Sequence, residues 1–268
     1  MTSKRILLCT IIGISLLLFL IAISFQTEKL LSPIEYSFPN HQNEDLPNKT
    51  LNEKSIEIIT ENPIPPKENL KYISLTFDDG PKIGRTDEII EILNEYKMNA
   101  TFFMLGLNIK AYPGLVSFVL ENGNEIGSHT YDHKYLTKIS KPKIHYEIEE
   151  TNALFNSITG EDFILLRPPY GHLNDYVRTN YNYSYILWSL DPRDWEIRDA
   201  KAISEYILEN IEEGDIILLH DTYLTTVEAL RILLPELKAR EFQSVTISEL
   251  AKIKNKTIES YTVYKNFK

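Results

Sequence analysis

Residues 71–105 read KYISLTFDDGPKIGRTDEIIEILNEYKMNATFFML, a strand, a polar turn, a helix and a second strand in succession. Tyr72–Phe77 is rich in β-branched and aromatic residues, and Asp78-Asp79-Gly80-Pro81 stops it. From Asp87 to Tyr96, Ile89, Ile90 and Leu93 recur at helical spacing. Ala100–Leu105 is again apolar and β-prone. The alternation continues outward, with helices expected at Leu115–Leu120, from a Ser140 cap to Ile158 with Gly160 beyond, at Ala200–Ile211 and at Thr226–Ala239. Strands are expected at Glu125–Ser128, Phe163–Leu166, Tyr183–Leu190, Ile216–Leu219 and Ser244–Ile247. Strands that alternate with helices pair in parallel, so the expectation is an α/β fold, as a barrel or an open sheet.

In this pattern ionisable residues recur just after the strands' C-terminal ends: Asp78 and Asp79, His129, Arg167, Asp191 and Asp194, and His220. That edge is the catalytic face of an α/β barrel. Each group also has a plain reading. Asp-Asp-Gly is commonly a turn with glycine at positive φ, and Gly80 is expected to serve it. His129 and His133, four apart, meet on one helical face if that segment is a helix. Arg167-Pro168-Pro169-Tyr170-Gly171 can be a proline turn with a solvated arginine; alternatively Arg167 turns inward to hold a carboxylate ionised while the Tyr170 N–H faces an oxyanion. Asp191 and Arg193 read as a surface turn. Asp194 differs, because a buried carboxylate beside His220 would raise that imidazole's pKa and orient its proton. His41, His145 and His172 are assigned no role.

The chain has 268 residues, 43% of them hydrophobic, and a net charge of −10, which argues against nucleic acid as a partner. Ile6–Phe25 is almost wholly apolar and follows Lys4 and Arg5. A run of about 20 such residues suits an N-terminal transmembrane helix whose downstream chain faces outward. A cleaved signal peptide is the competing reading, opposed by the length of the run and the lack of a small-x-small site. The only cysteine, Cys9, lies in that run, so the exported part has no disulfides. Residues 27–69 hold Pro33, Pro39, Pro47, Pro63, Pro65 and Pro66 and no glycine, the composition of a semi-stiff linker, although Ile56, Ile58 and Ile59 could add an edge strand. The expected organisation is therefore a cytoplasmic tip and membrane anchor over 1–26, an extracytoplasmic linker over 27–69 and a catalytic domain over 70–268. No obligate protein partner is evident. The lysine-rich tail after Ala251 reads as solvated by default.

The motif segments, in this order and spacing, resemble the NodB-homology polysaccharide deacetylases, carbohydrate esterase family four. Asn99-Ala100-Thr101-Phe102-Phe103, Asn124-Glu125-Ile126-Gly127 and Thr226-Val227-Glu228-Ala229-Leu230 fit as well, and the likeness covers about Lys71 to Leu250. It implies a distorted, incomplete (β/α) barrel and a divalent metal held by Asp79, His129 and His133. Their chemistry suits Zn²⁺ and leaves room for Co²⁺, Mn²⁺ or Ni²⁺. It further implies Asp78 as general base tuned by Arg167, and His220 supported by Asp194 as the acid that protonates the departing amine. The Tyr170 N–H would stabilise the oxyanion, and Trp195 and Leu218 would enclose the acetyl methyl. The expected substrate is an acetylated cell-envelope polysaccharide, foremost N-acetylglucosamine of peptidoglycan, with N-acetylmuramic acid also open. An O-deacetylase of a polymer such as xylan and a non-catalytic glycan-binding module are the alternatives.

Overall fold

The computed structural model describes residues 69–268. The expected anchor, nearly all of the proline-rich segment and the strand suggested by Ile56, Ile58 and Ile59 lie outside the described residues. Among the described residues no helix is long and apolar enough to cross a membrane.

Strand β1 (Lys71–Asp78) lies between β2 (Ala100–Met104) and β6 (Ile216–His220), parallel to both. Strands β3 (Glu125–Ser128), β4 (Leu165–Leu166) and β5 (Ser184–Ile186) continue the sheet beyond β2. β7 (Phe242–Ser244) pairs with the first residues of β1, and β8 (Val263–Tyr264) lies outside β5. The sheet curls far enough for Leu190, past the end of β5, to bridge in parallel to Ile217 on β6. This is the parallel pairing that the alternating pattern anticipates, in the curled, incomplete barrel that the family resemblance implies.

Alternation along each strand sorts side chains between two cores. Ile73, Leu75 and Phe77 face outward, where they join Ile89, Ile90 and Leu93 of helix α1 (Thr86–Tyr96) in one buried cluster. Tyr72 has the opposite parity and packs with Phe103, Leu165, Ile186, Ile216 and Phe267 in a second cluster. Thr76 and Asp78 share that inward parity at the C-terminal end of β1. The outer helices follow in order: α2 (Gly106–Ala111), α3 (Pro113–Glu121), α4 (Lys141–Thr159), α5 (Asp175–Asn180), α6 (Asp194–Ile197), α7 (Ala200–Asn210), α8 (Leu224–Ala239) and α9 (Ile247–Ile253).

Gly160 ends α4 in the left-handed conformation, φ 77°, as its position predicts. The strand expected over 244–247 ends instead at Ser244. Thr246 and Glu249 form a capping box there, which turns the chain into α9. The strands expected over 163–166 and 183–190 are shorter; the Phe163 N–H is drawn off to the Asn152 side chain at 2.9 Å. Helices α2, α5 and α6 are not anticipated by the sequence pattern. Nor is the C-terminal segment a solvated tail: it supplies β8 and buries Phe267 completely.

Candidate active site

The acidic pair ends β1 at the register where Asp78 lies opposite His220 on β6. Asp79 takes φ 77°, so the left-handed residue of the turn is Asp79 rather than Gly80, contrary to expectation. Gly80 is needed for a different reason: a Cβ there would lie 2.1 Å from an Asp221 carboxylate oxygen. The reversal at Asp79 sends the two carboxylates different ways.

Asp78 is buried, and its Oδ1 accepts a 2.8 Å hydrogen bond from Arg167 Nη1. Arg167 leaves the end of β4, is fully buried and lies over the Phe103 ring. It also donates to Thr76 Oγ1 at 2.8 Å, to the Ile186 carbonyl at 3.1 Å and to the Leu187 carbonyl at 3.0 Å. Of the two readings, therefore, the inward arginine is the one adopted. Burial alone pushes the Asp78 carboxyl up. The charges of Arg167, His129 and His220, with the Arg167 hydrogen bond, outweigh it and hold the group below the usual carboxylate value. Burial lowers Arg167 as well, against Asp78, but a guanidinium stays charged, so the pair is ionic.

Asp79 Oδ1 stands 3.7 Å from His129 Nε2 and 3.6 Å from His133 Nε2. One ligand atom from each of these residues lies within 4.8 Å of the others. The histidines do not share a helical face. Residues 129–135 form a loop, left-handed at Thr130 and His133, that folds the second imidazole back onto the first. His129 Nδ1 lies 2.7 Å from the Arg167 carbonyl. A carbonyl only accepts, so the proton is on Nδ1 and Nε2 of the neutral ring offers a lone pair. Asp79 Oδ1 is buried without a hydrogen-bond partner. Burial and His129 lower the pKa of His133 against the pull of Asp79 and Asp78, favouring the neutral ring. Acceptors thus face acceptors, an arrangement that a cation resolves, and an imidazole and carboxylate set of this kind fits a divalent metal.

His220 ends β6 opposite this set. Its Nδ1 lies 2.7 Å from Asp194 Oδ1, leaving Nε2 as the other proton position. Asp194 is fully buried and also accepts from the Trp195 N–H at 2.9 Å, the His220 N–H at 2.8 Å and the Thr226 hydroxyl at 2.7 Å. Burial disfavours the charged ring, but Asp194, with help from Asp78 and Asp79, pushes the His220 pKa up to about 9. A metal bound nearby would pull it back down.

Tyr170, at φ 61°, lays its ring face to face on Tyr135, with centroids 3.7 Å apart, and edge-on to His133 at 4.5 Å. Trp195 is 43% exposed beside Asp194, while Leu218 is buried two residues before His220 on the same face of β6. Asp191 accepts from the Arg193 N–H at 2.8 Å, in keeping with a turn. Sequence reading missed Thr76, Thr226 and Asp221, whose partners are remote in the chain. Asp221 is buried, accepts from Thr86 Oγ1 at 2.6 Å and has its pKa raised to about 7, mainly by burial. Its place directly after His220 was the one available signal.

Comparison with known proteins agrees with this geometry. The family described as polysaccharide deacetylase matches residues 66–185. The peptidoglycan-N-acetylglucosamine deacetylase of Bacillus cereus is 40% identical over 70% of this chain and 91% of its own. The peptidoglycan-N-acetylmuramic acid deacetylase PdaC of Bacillus subtilis is 38% identical over 69% of this chain, which spans only 40% of that longer protein. The solved structure of PdaC superposes with a TM-score of 0.68 at 37% identity, covering 70% of this chain and 93% of that one. An acetyl xylan esterase from Clostridium thermocellum, solved with a cobalt ion, superposes at 0.69 with 28% identity, covering 73% and 98%. With the curled barrel, the Asp-His-His cluster and the Arg167–Asp78 and Asp194–His220 pairs all in place, the chain belongs to the polysaccharide deacetylase family.

Proposed function

We propose that the protein is a metal-dependent N-deacetylase of cell-envelope glycan, acting on N-acetylglucosamine residues of peptidoglycan. The observation that carries this reading is the division of labour between adjacent carboxylates: Asp78 is held ionised by Arg167, and Asp79 faces two imidazoles. The names of the relatives in Bacillus cereus and Bacillus subtilis support the substrate class. The apolar run Ile6–Phe25 supports an outward-facing domain tethered to the membrane.

Asp79, His129 and His133 would hold the ion, Zn²⁺ by their chemistry. When bound it supplies a Lewis acid for the acetyl carbonyl and lowers the pKa of water. Asp78 takes a proton from the attacking water as its oxygen bonds to the acetyl carbon. The Tyr170 N–H stabilises the oxyanion that forms. His220, held by Asp194, gives its Nε2 proton to the sugar nitrogen as the carbon–nitrogen bond breaks, leaving acetate and an amine. Trp195 and Leu218 flank the acetyl methyl.

Two results follow. Asp79→Asn suits the left-handed backbone position yet removes the charge, so Zn²⁺ affinity falls at least about tenfold by chelator competition; unchanged metal content removes Asp79 from the ligand set. The protonated His220 is the acid, and its raised pKa keeps it protonated to higher pH. Asp194 raises the pKa of that acid, so the alkaline limb of the rate lies at higher pH with Asp194 present than without it, whatever downward shift the bound cation adds. Asp194→Asn moves that limb to lower pH, and a pH–rate profile with an unmoved limb excludes the pair.

The deciding experiment is acetate release by the full chain, stripped of metal and restored with Zn²⁺, from N-acetylated peptidoglycan beside acetylated xylan. Metal-dependent release from peptidoglycan is expected. Release from xylan alone assigns the protein to O-deacetylation.

A further inference from the structure

The loop joining the two candidate histidine ligands is gripped from both sides. On one side, a single oxygen of Glu147, Oε2, accepts the N–H of Tyr131 at 3.0 Å and of Asp132 at 2.9 Å. On the other, the first N–H groups of α2 are given to the same loop, Gly106 to the Thr130 carbonyl at 2.9 Å and Leu107 to the Tyr131 carbonyl at 3.0 Å. The peptide units 130–131 and 131–132 are thus bonded through both their N–H and C=O groups. They form the crosspiece of the chelate, since His129 precedes them and His133 follows.

Glu147 is buried on α4, fifteen and sixteen residues beyond the N–H groups that donate to it. Thr151, one helical turn later, donates to the Glu147 carbonyl at 2.9 Å. A Cβ on Gly106 would lie 2.7 Å from Thr151 Oγ1 and 2.7 Å from the Tyr131 ring, so glycine at 106 permits α2, α4 and the loop to close together. A buried carboxylate is costly unless it is well bonded, and here its bonds are spent on this loop.

We infer that Glu147 is a positioning residue for the metal centre, holding the 130–132 crosspiece so that the His133 imidazole is folded back against His129 and Asp79. It touches neither substrate nor ion. The inference rests on the reading of Asp79, His129 and His133 as ligands. Without the carboxylate, two N–H groups lose their acceptor and the left-handed turns at Thr130 and His133 relax, since such conformations persist only when the surroundings over-determine them. Outer partners of metal ligands are typically worth about 10–100-fold in affinity.

The test is Zn²⁺ affinity of the full chain by chelator competition, with no glycan present, beside thermal unfolding of the metal-free protein. Glu147→Ala should weaken Zn²⁺ about 10–100-fold, while Glu147→Gln, whose amide oxygen can accept both N–H groups, stays close to wild type. Ile148→Ala, the fully buried neighbour on α4, controls for general loosening and should lower the unfolding temperature with little change in affinity. If Glu147→Ala does not fold, Glu147→Asp, which keeps the charge and loses reach, carries the same expectation. Wild-type affinity in Glu147→Ala or Glu147→Asp overturns the inference. So does an equal loss in Ile148→Ala, which would make the effect one of helix packing, or in Glu147→Gln, which would make it one of charge. A wild-type protein that binds no Zn²⁺ overturns the ligand assignment and this role with it, an outcome distinct from wild-type binding that Glu147→Ala leaves intact.

Discussion

Asp78→Asn should leave the metal in place and slow acetate release by about 10²–10⁴-fold, the range that a positioned general base contributes. The asparagine keeps an oxygen for Arg167 Nη1, now 2.8 Å from Asp78 Oδ1, so the local shape survives while the basic group is lost. Metal should be retained because Asp78 is outside the Asp79, His129 and His133 cluster and its carboxylate is engaged by Arg167. Metal content and initial rate measured on one sample decide it. Near-wild-type turnover with metal bound would mean that another group takes the proton.

Arg167→Met should have the largest effect on stability, about 3–5 kcal/mol, because it leaves a buried carboxylate without its charge partner. The arginine reaches from β4 to Thr76 and Asp78 on β1 and to the Ile186 and Leu187 carbonyls at the end of β5, so its loss also frees three acceptors inside the barrel. Folding in water normally leaves only about 5–15 kcal/mol of stability, and such a loss will be plain in urea titration. In Arg167→Met combined with Asp78→Asn the lone charge is gone. That double variant should be more stable than additivity predicts. Strictly additive losses would show that the two side chains are not energetically coupled.

The comparison between sequence and structure turns on distance along the chain. β1, α1 and the Gly160 stop of α4 were legible because their causes are local: alternation, helical spacing and a glycine at the end of a helix. The same locality misplaced the segment after Ser244, where apolar content suggested a strand and the Thr246–Glu249 capping box imposed a helix. Gly80 was assigned positive φ from its turn context, but Asp79 carries it, and the true reason for the glycine is Asp221, far off in sequence. The tail was read as solvated because its lysines are many; Phe267, a single buried ring, outweighs them by packing inside the barrel.

Residue type and spacing were enough to gather the ionisable groups at one edge, and the family resemblance supplied the chemistry expected of them. Carboxylates, imidazoles and an arginine recur after successive strands, and parallel βα units deliver such residues to one edge of a sheet. Which carboxylate does what depends on folding in three dimensions. Asp78 and Asp79 are chemically identical neighbours, and they part only because β1 parity points the first at Arg167 while a left-handed backbone turns the second toward His129 and His133. The proton position on His129, the burial that sets Asp78 against Arg167 and the grip of Glu147 on the histidine loop likewise arise from contacts between segments far apart in the chain. Local sequence encodes backbone preference and side-chain chemistry, whereas charge state and direction are set by desolvation and by partners that only the closed barrel brings within hydrogen-bonding range.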